Sequence, residues 1–380
     1  GPIRVFLDSL PKFRLGEQDG KGFHCLAGLF YLKERSRQVQ TLDVQDPGSG
    51  EVIGNAATFL VLSSIRETAG FLDLTYHFND MFDIQGGVRF SGNKQRYIEF
   101  GSGPVNGGDS VTTSDSKDSP VTWLISPRVH FDRDTMLYAR IASGYRNGGP
   151  NTGAPGVPRN FDSDETINYE LGFKTIMLDR TLTLDLAAYW IDWKRIQIQL
   201  TEPSSQFLYF ANGSRARSRG IEAAIDWPPA PATTISANGT FNDAELTADF
   251  PGTANIFAGK GDRLPFTAKW SANLSVDQDI PLDDDITGYV GGTITYVGDR
   301  PQLFPSRITT PRLSAPAYTT FDLRAGLRYA DYTLNIFATN ITDKRGFTGL
   351  AYRNNNNLAL GYAASVINPR TIGVSLAYGF

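Results

Sequence analysis

"AYTTFDLRAGLRYADYTLNIFATNI", residues 317–341, is the stretch on which the fold turns. In its first half Phe321, Leu323, Ala325, Leu327 and Tyr329 are apolar, while Thr320, Asp322, Arg324, Gly326 and Arg328 fall between them. In its second half Tyr332, Leu334, Ile336 and Ala338 share one face, and Thr333, Asn335, Phe337 and Thr339 the other. Alternation with period two marks a strand with one apolar face. Only "ADY" at 330–332 separates the halves, so the two strands form a tight antiparallel hairpin.

The same alternation recurs near 71–78, 82–91, 121–131, 165–175, 180–200, 219–227, 234–242 and 268–277. Segments 11–18, 22–36, 136–146, 286–298 and 370–380 extend the series to about 15 strands, and helical periodicity is nowhere sustained. The joints are of two kinds. "FND" (78–80), "DRD" (132–134), "LDR" (178–180), "PPAP" (228–231), "PLDDD" (281–285) and "ADY" are short. The segments 37–63, 100–119, 147–164, 246–262, 301–315 and 343–367 are long and rich in Gly, Asn, Pro, Ser and Asp, with an intermediate joint near 201–205. Short and long joints alternate, so an up-and-down sheet gathers all the short turns at one end and all the long loops at the other. Outer-membrane β-barrels have that asymmetry. The expected fold is therefore all-β, an antiparallel up-and-down transmembrane β-barrel.

Composition fits this reading once the wall is considered. Mean hydropathy is −0.26, which by itself suggests a soluble protein. A barrel wall, however, meets lipid only at every second residue, so its average is unremarkable. No run reaches the ~18 apolar residues of a membrane helix. A single cysteine, Cys25, leaves no disulfide within the chain, and His24, His77 and His130 lie far apart in sequence, so no metal site is expected. A net charge of −4 gives no support to nucleic-acid binding. The glycine-rich runs 101–108 and 144–153 do not lead into Lys-Ser/Thr, so no nucleotide loop, catalytic residue or cofactor is expected.

The faces follow from energy. An arginine facing lipid near the midplane costs about 2–4 kcal/mol, whereas an aqueous lumen removes that cost. Glu222, Asp322, Arg324 and Arg328 are accordingly expected to face the lumen. Trp190, Trp193, Trp227, Tyr329 and Tyr378 lie near strand ends, where an aromatic girdle is expected. Soluble β-sandwiches, propellers or a secreted carbohydrate binder share the period-two pattern, and a 16- to 18-stranded diffusion porin also fits this length.

Four stretches resemble the C-terminal part of the barrel of TonB-dependent outer-membrane receptors, of the type abundant in sphingomonads. They are "LYARIASGYRNGGPNTG" (137–153), "ETINYELGFKTIMLDRTLTLDLAAYWIDWKRIQIQ" (165–199), "SRARSRGIEAAIDW" (214–227) and "LNIFATNITDKRGF" (334–347). "FHCLAGLFYLKE" (23–34) also fits, with Cys25 where the family often has tryptophan. The resemblance implies a 22-stranded barrel of which residues 1–380 are the C-terminal portion, with the N-terminal plug and first strands absent. It implies TonB-energised uptake of a scarce small molecule, most often an iron–siderophore chelate, with glycans and aromatic compounds as other cargo. It implies as partners outer-membrane lipid, the TonB complex through the N-terminal region, and the barrel assembly machinery at the C-terminus. Tyr378 and the terminal Phe380 resemble the signal that machinery reads. Strand tops and long loops are the place for ligand contacts: Arg146 and Asn147 at one strand top, Tyr352, Arg353 and Asn354 in the last loop. Arginine grips carboxylate or phosphate bidentately and tyrosine supplies stacking area.

Overall fold

The computed structural model describes residues 4–9, 13–17, 22–154, 156–202, 207–250, 257–305, 310–352 and 361–379. Arg353, Asn354 and Phe380 lie outside them. Seventeen strands hydrogen-bond into one antiparallel sheet. Arg4–Ser9 and Phe13–Glu17 both pair with Phe23–Gln45, and Ser110–Asp118 and Val121–His130 both pair with Phe82–Ser102. Each couple is one interrupted wall strand, so the described residues form 15 wall strands, which matches the sequence count. The second couple keeps its register across the break, which falls at Ser119–Pro120 because proline lacks an N–H.

In chain order the wall strands are β1 (Arg4–Ser9 with Phe13–Glu17), β2 (Phe23–Gln45), β3 (Val52–His77), β4 (Phe82–Ser102) and β5 (Ser110–Asp118 with Val121–His130). There follow β6 (Thr135–Arg146), β7 (Asp164–Met177), β8 (Leu182–Lys194), β9 (Arg215–Ala230) and β10 (Thr233–Leu246). The last five are β11 (Trp270–Asp283), β12 (Ile286–Val297), β13 (Tyr318–Tyr329), β14 (Tyr332–Thr339) and β15 (Thr371–Tyr378). Each pairs with its sequence neighbours, and β15 pairs only with β14 among the described residues. The pairing of β15 starts at Thr339↔Thr371, two residues after Pro369.

The two faces differ as the alternation requires. Leu29, Phe90, Val121, Leu171, Ile221, Leu323, Leu327, Ile336 and Val374 are exposed on the outward face. The opposite face carries the polar and charged residues. The exposed surface is 22736 Å², against roughly 15,000 Å² for a compact globule of this mass. A wall one strand thick, wetted on one face and apolar on the other, has no core of its own. The largest buried apolar cluster instead sits among the long loops, around Ile196, Ile198, Leu200, Tyr209, Leu246, Phe250 and Phe304.

The height of the apolar band can be read from β2 and β3. Outward residues run from Phe23 through Leu29 to Lys33 on β2, and from Tyr76 to Arg66 on β3. Ten residues at about 3.3 Å each, tilted by about 40°, rise about 25 Å, the height of the lipid-facing band of an outer-membrane barrel.

Two expectations are corrected. Residues 37–63 are not a loop: β2 runs to Gln45 and β3 begins at Val52, leaving a tip at Asp46–Glu51. Likewise Ser110–Asp118 is strand within the expected loop 100–119. Above the membrane both faces of a strand meet water, so nothing forces alternation and the period-two signal fades although the ladder continues. The second correction is Trp193. Trp190, Trp227, Tyr329 and Tyr378 are exposed on the outward face. Trp193 has the opposite parity on β8 and lies under the guanidinium of Arg146, whose carbon is 5.5 Å from the ring centre.

Candidate ligand mouth and lumen lining

The polar face of the wall is held by side chains that reach across a neighbouring strand. Register sets Asp277 (β11) opposite Gly291 (β12), and Gly291 opposite Arg324 (β13). Arg324 Nε donates to Asp277 Oδ1 at 2.8 Å, directly over that glycine. A Cβ at Gly291 would stand 2.1 Å from Asp277 Oδ1, so the ion pair requires the glycine. Arg328 donates to Asp279 at 2.9 Å and stacks on Tyr289, 4.6 Å from the ring centre. Glu222 lies on the same face, opposite Ala187 on β8 and Thr240 on β10. Asp322 accepts a hydrogen bond from the Asn340 backbone N–H at 2.7 Å, which caps β14.

The motifs that carry the resemblance have local physical reasons. In "ELGFK" (170–174) the ring of Tyr138 lies over Gly172 and its hydroxyl donates to Glu170 Oε1 at 2.8 Å. In "RGIE" (219–222) the ring of Tyr189 lies over Gly220. In "NITDK" (340–344) the buried Asn340 amide donates to the carbonyls of Lys344 and Asn368, and Arg370 N donates to Asp343 Oδ1. That turn ties the end of β14 to the start of β15. The Asn340 amide is thereby fully committed.

At the short-turn end, all three histidines of the chain gather around one carboxylate. Asp83 is buried; it accepts from Arg128 Nε at 2.5 Å, faces His130 Nε2 at 2.8 Å and has His77 Nδ1 at 3.6 Å. His24 packs edge-on to His77, with ring centres 5.1 Å apart. Sequence separation hid this convergence, since only the strand order brings residues 24, 77, 83 and 130 together. No set of residues with metal-binding geometry occurs among the described residues.

The long-loop end forms the mouth. Arg146 donates to the buried Asp164 at 2.6 Å and to the Gln197 carbonyl at 3.1 Å. Gln197 in turn donates to the carbonyls of Arg146, Asn147 and Asp162. Asn151 exchanges hydrogen bonds with the backbone of Phe210 at 2.8 Å in each direction. Two loop hairpins, Gly149–Pro150 with Asn160–Phe161 and Gln197–Thr201 with Leu208–Asn212, are thus stitched over the tops of β6 to β8. Tyr97 and Gly153 N–H both donate to Glu99, which anchors the first of these loops to β4. Sequence reading placed Arg146 and Asn147 at this strand top, yet it missed Asp164, Gln197 and Glu99, which have no motif.

A second cluster forms where Phe347–Tyr352 pairs with Tyr362–Val366. The Tyr352 hydroxyl donates to the Pro311 carbonyl at 3.2 Å. Beside it, Arg312 donates from Nε to the Gln302 carbonyl and from Nη1 to the Arg263 carbonyl, and its guanidinium carbon lies 4.2 Å from the Phe304 ring centre. Burial holds the Arg312 guanidinium down at about 10, with Asp262 pulling it up and Arg263 pushing it down. Arg312 Nη2 is buried with no partner among the described residues. Its place in the last loop marks Tyr352 in the sequence, whereas no motif marks Arg312.

Residues 12–341 match the family model described as TonB dependent receptor-like, beta-barrel. The chain belongs to the TonB-dependent receptor family. It is 28% identical over 341 residues to a pesticin receptor of Yersinia enterocolitica, covering 86% of this chain and 46% of that protein. It is 26% identical over 305 residues to a metal-pseudopaline receptor of Pseudomonas aeruginosa, covering 80% of this chain and 39% of that one. Among solved structures, the ferric yersiniabactin uptake receptor of Yersinia pestis superposes with a TM-score of 0.82 at 24% identity, over 100% of this chain and 55% of that one. The ferric-catecholate import receptor of E. coli superposes with a TM-score of 0.72 at 18% identity, over 100% and 55%. The chain therefore spans less than half the length of the curated relatives it matches. Family membership places it in the bacterial outer membrane and among receptors rather than enzymes or soluble sugar binders.

Proposed function

We propose that this chain is the C-terminal portion of the barrel of a receptor for TonB-energised uptake of a metal chelate of the siderophore class. The family match over residues 12–341 carries the reading, and the names of the relatives, which include ferric, pesticin and metal-pseudopaline receptors, support the cargo class. The mouth suits such a cargo. A siderophore complex presents anionic carboxylate or phenolate oxygens and flat rings. Arg146 over Trp193, and Arg312 over Phe304 beside Tyr352, offer cations backed by aromatic faces. Arg353 and Asn354 belong to the same proposed contact set by sequence position. On this reading the TonB complex acts through the N-terminal region, and assembly machinery engages Tyr378 and Phe380.

The test is titration of the full-length receptor with ferric complexes of catecholate, hydroxamate and phenolate chelators, followed by protein fluorescence. One class should bind well below micromolar Kd, and Arg312→Ala should weaken it at least about tenfold, the loss of one charge-assisted contact. Binding of a glycan with no ferric complex bound, or expression unchanged by iron limitation, would overturn the siderophore assignment.

A further inference from the structure

The outward face just above the apolar band is uneven. Register sets Lys33 (β2) opposite Arg66 (β3), Arg66 opposite Lys94 (β4), and Lys94 opposite Lys117 (β5). All four share the outward parity of Leu29, Leu72, Phe90 and Val121 on the same strands. Four cations thus stand in one row on adjacent strands spaced about 4.8 Å apart. Two residues higher Arg35 and Arg96 add to it, and Asp115 stands opposite Arg96 as an acid on that face; Asp8 is the residue opposite Lys33 on β1. None of the four row cations makes an ion pair or side-chain hydrogen bond among the described residues. Like charges directly opposite each other destabilise a ladder; Asp8 flanks the row only at its Lys33 end, so the contiguous cations Arg66, Lys94 and Lys117 are a cost that the wall does not offset.

Two further features identify what offsets it. The row lies four residues above the Leu29–Gly70–Phe90–Val121 tier, at the upper edge of the apolar band. Directly beneath it, Gly70 and Gly92 leave a shallow outward groove flanked by Leu29 and Phe90. We propose that the row binds the anionic headgroup, phosphate or carboxylate, of an outer-leaflet glycolipid, with an acyl chain lying in the groove below. The proposal rests on the outer-membrane placement of the wall. The lumen cargo cannot be the occupant, because the row faces away from the lumen. A row contiguous with the lipid-facing stripe meets lipid before it meets any soluble anion.

The experiment uses the full-length receptor, extracted in detergent and stripped of lipid, with the midpoint of its heat-induced gel shift as readout. The probes are bisphosphorylated lipid A, dephosphorylated lipid A and inorganic phosphate. Bisphosphorylated lipid should raise the midpoint of the wild type, and the other two probes should not. Lys33→Gln/Arg66→Gln/Lys94→Gln/Lys117→Gln should lose at least half of the rise, and Lys33→Arg/Lys94→Arg/Lys117→Arg should keep it. If the fourfold variant does not assemble, Lys94→Gln/Lys117→Gln should give a partial loss. An undiminished rise in the glutamine variants, or an equal rise with dephosphorylated lipid or inorganic phosphate, overturns the proposal. A wild type that shifts on heating but does not respond to lipid overturns only this proposal; one that shows no heat-modifiable band overturns the outer-membrane reading as well.

Discussion

At one height on the outward face, two halves of the wall treat charge in opposite ways. Across β2 to β5 the row Lys33, Arg66, Lys94 and Lys117 is cationic and unpaired. Across β8 to β10 and the segment leading into β11, Asp192, Arg217 and Glu245 alternate in sign at that height, and they and the neighbouring Arg219, Asp243 and Lys269 are engaged. Trp190 Nε1 donates to Asp192 at 3.0 Å, and Arg217 and Arg219 lie over the Trp190 ring at 4.7 and 5.6 Å. Arg219 bonds Asp243 at 2.9 Å, Lys269 reaches the same carboxylate at 3.6 Å, and Arg217 pairs with Glu245. The distance from the aromatic Trp227 to Arg217 is again ten residues, as from Phe23 to Lys33. The membrane therefore makes the same demand at both places. One half meets it with its own counter-charges; the other leaves the counter-charge to the surroundings.

The comparison can be broken most strongly at Asp243, which serves two cations. Asp243→Ala should lower stability by about 0.4–2 kcal/mol, the sum of two partly exposed charge pairs, seen as an earlier urea midpoint of the heat-modifiable form. On the other half the sign should reverse. Lys94→Glu places an acid between Arg66 and Lys117 and should raise stability in lipid-free detergent by about 0.2–1 kcal/mol; a loss there would mean that the row is not strained by its own charge. The smallest effect concerns the tip of the same β2–β3 hairpin. Backbone N–H groups of Ser49 and Gly48 hold the Asp46 carboxyl below its ordinary value of 3.8. A folded pKa below the unfolded one means the contribution is present above 3.8 and is lost as pH falls through the lower folded value. Amide exchange at Gly48 and Ser49 should accelerate only below that pH, and Asp46→Asn should abolish this threshold without moving the wall.

Much of the wall was legible because facing is a local property. On β13 a residue at an even position shares a face with Arg324 whatever the rest of the chain does, and the cost of arginine in lipid then decides which face is which. Joint lengths are equally local, so the segregation of short turns from long loops, and with it the fold, followed from composition between strands. Legibility failed where the solvent no longer distinguishes the faces. Residues 37–45, 52–63 and 110–118 continue the ladder in water on both sides and carry no alternation.

The sequence by itself determined the strands within the apolar band, their two faces and the family, because period two, turn residues and short motifs are fixed by neighbours along the chain. Only the tertiary structure decided partnership. Asp277 meets Arg324 over Gly291, His24, His77 and His130 meet at Asp83, and Lys33 meets Arg66, Lys94 and Lys117, because strand order and register bring distant residues to one height. Register is a property of pairs of strands, and a slip of one residue would turn every one of these side chains to the other face.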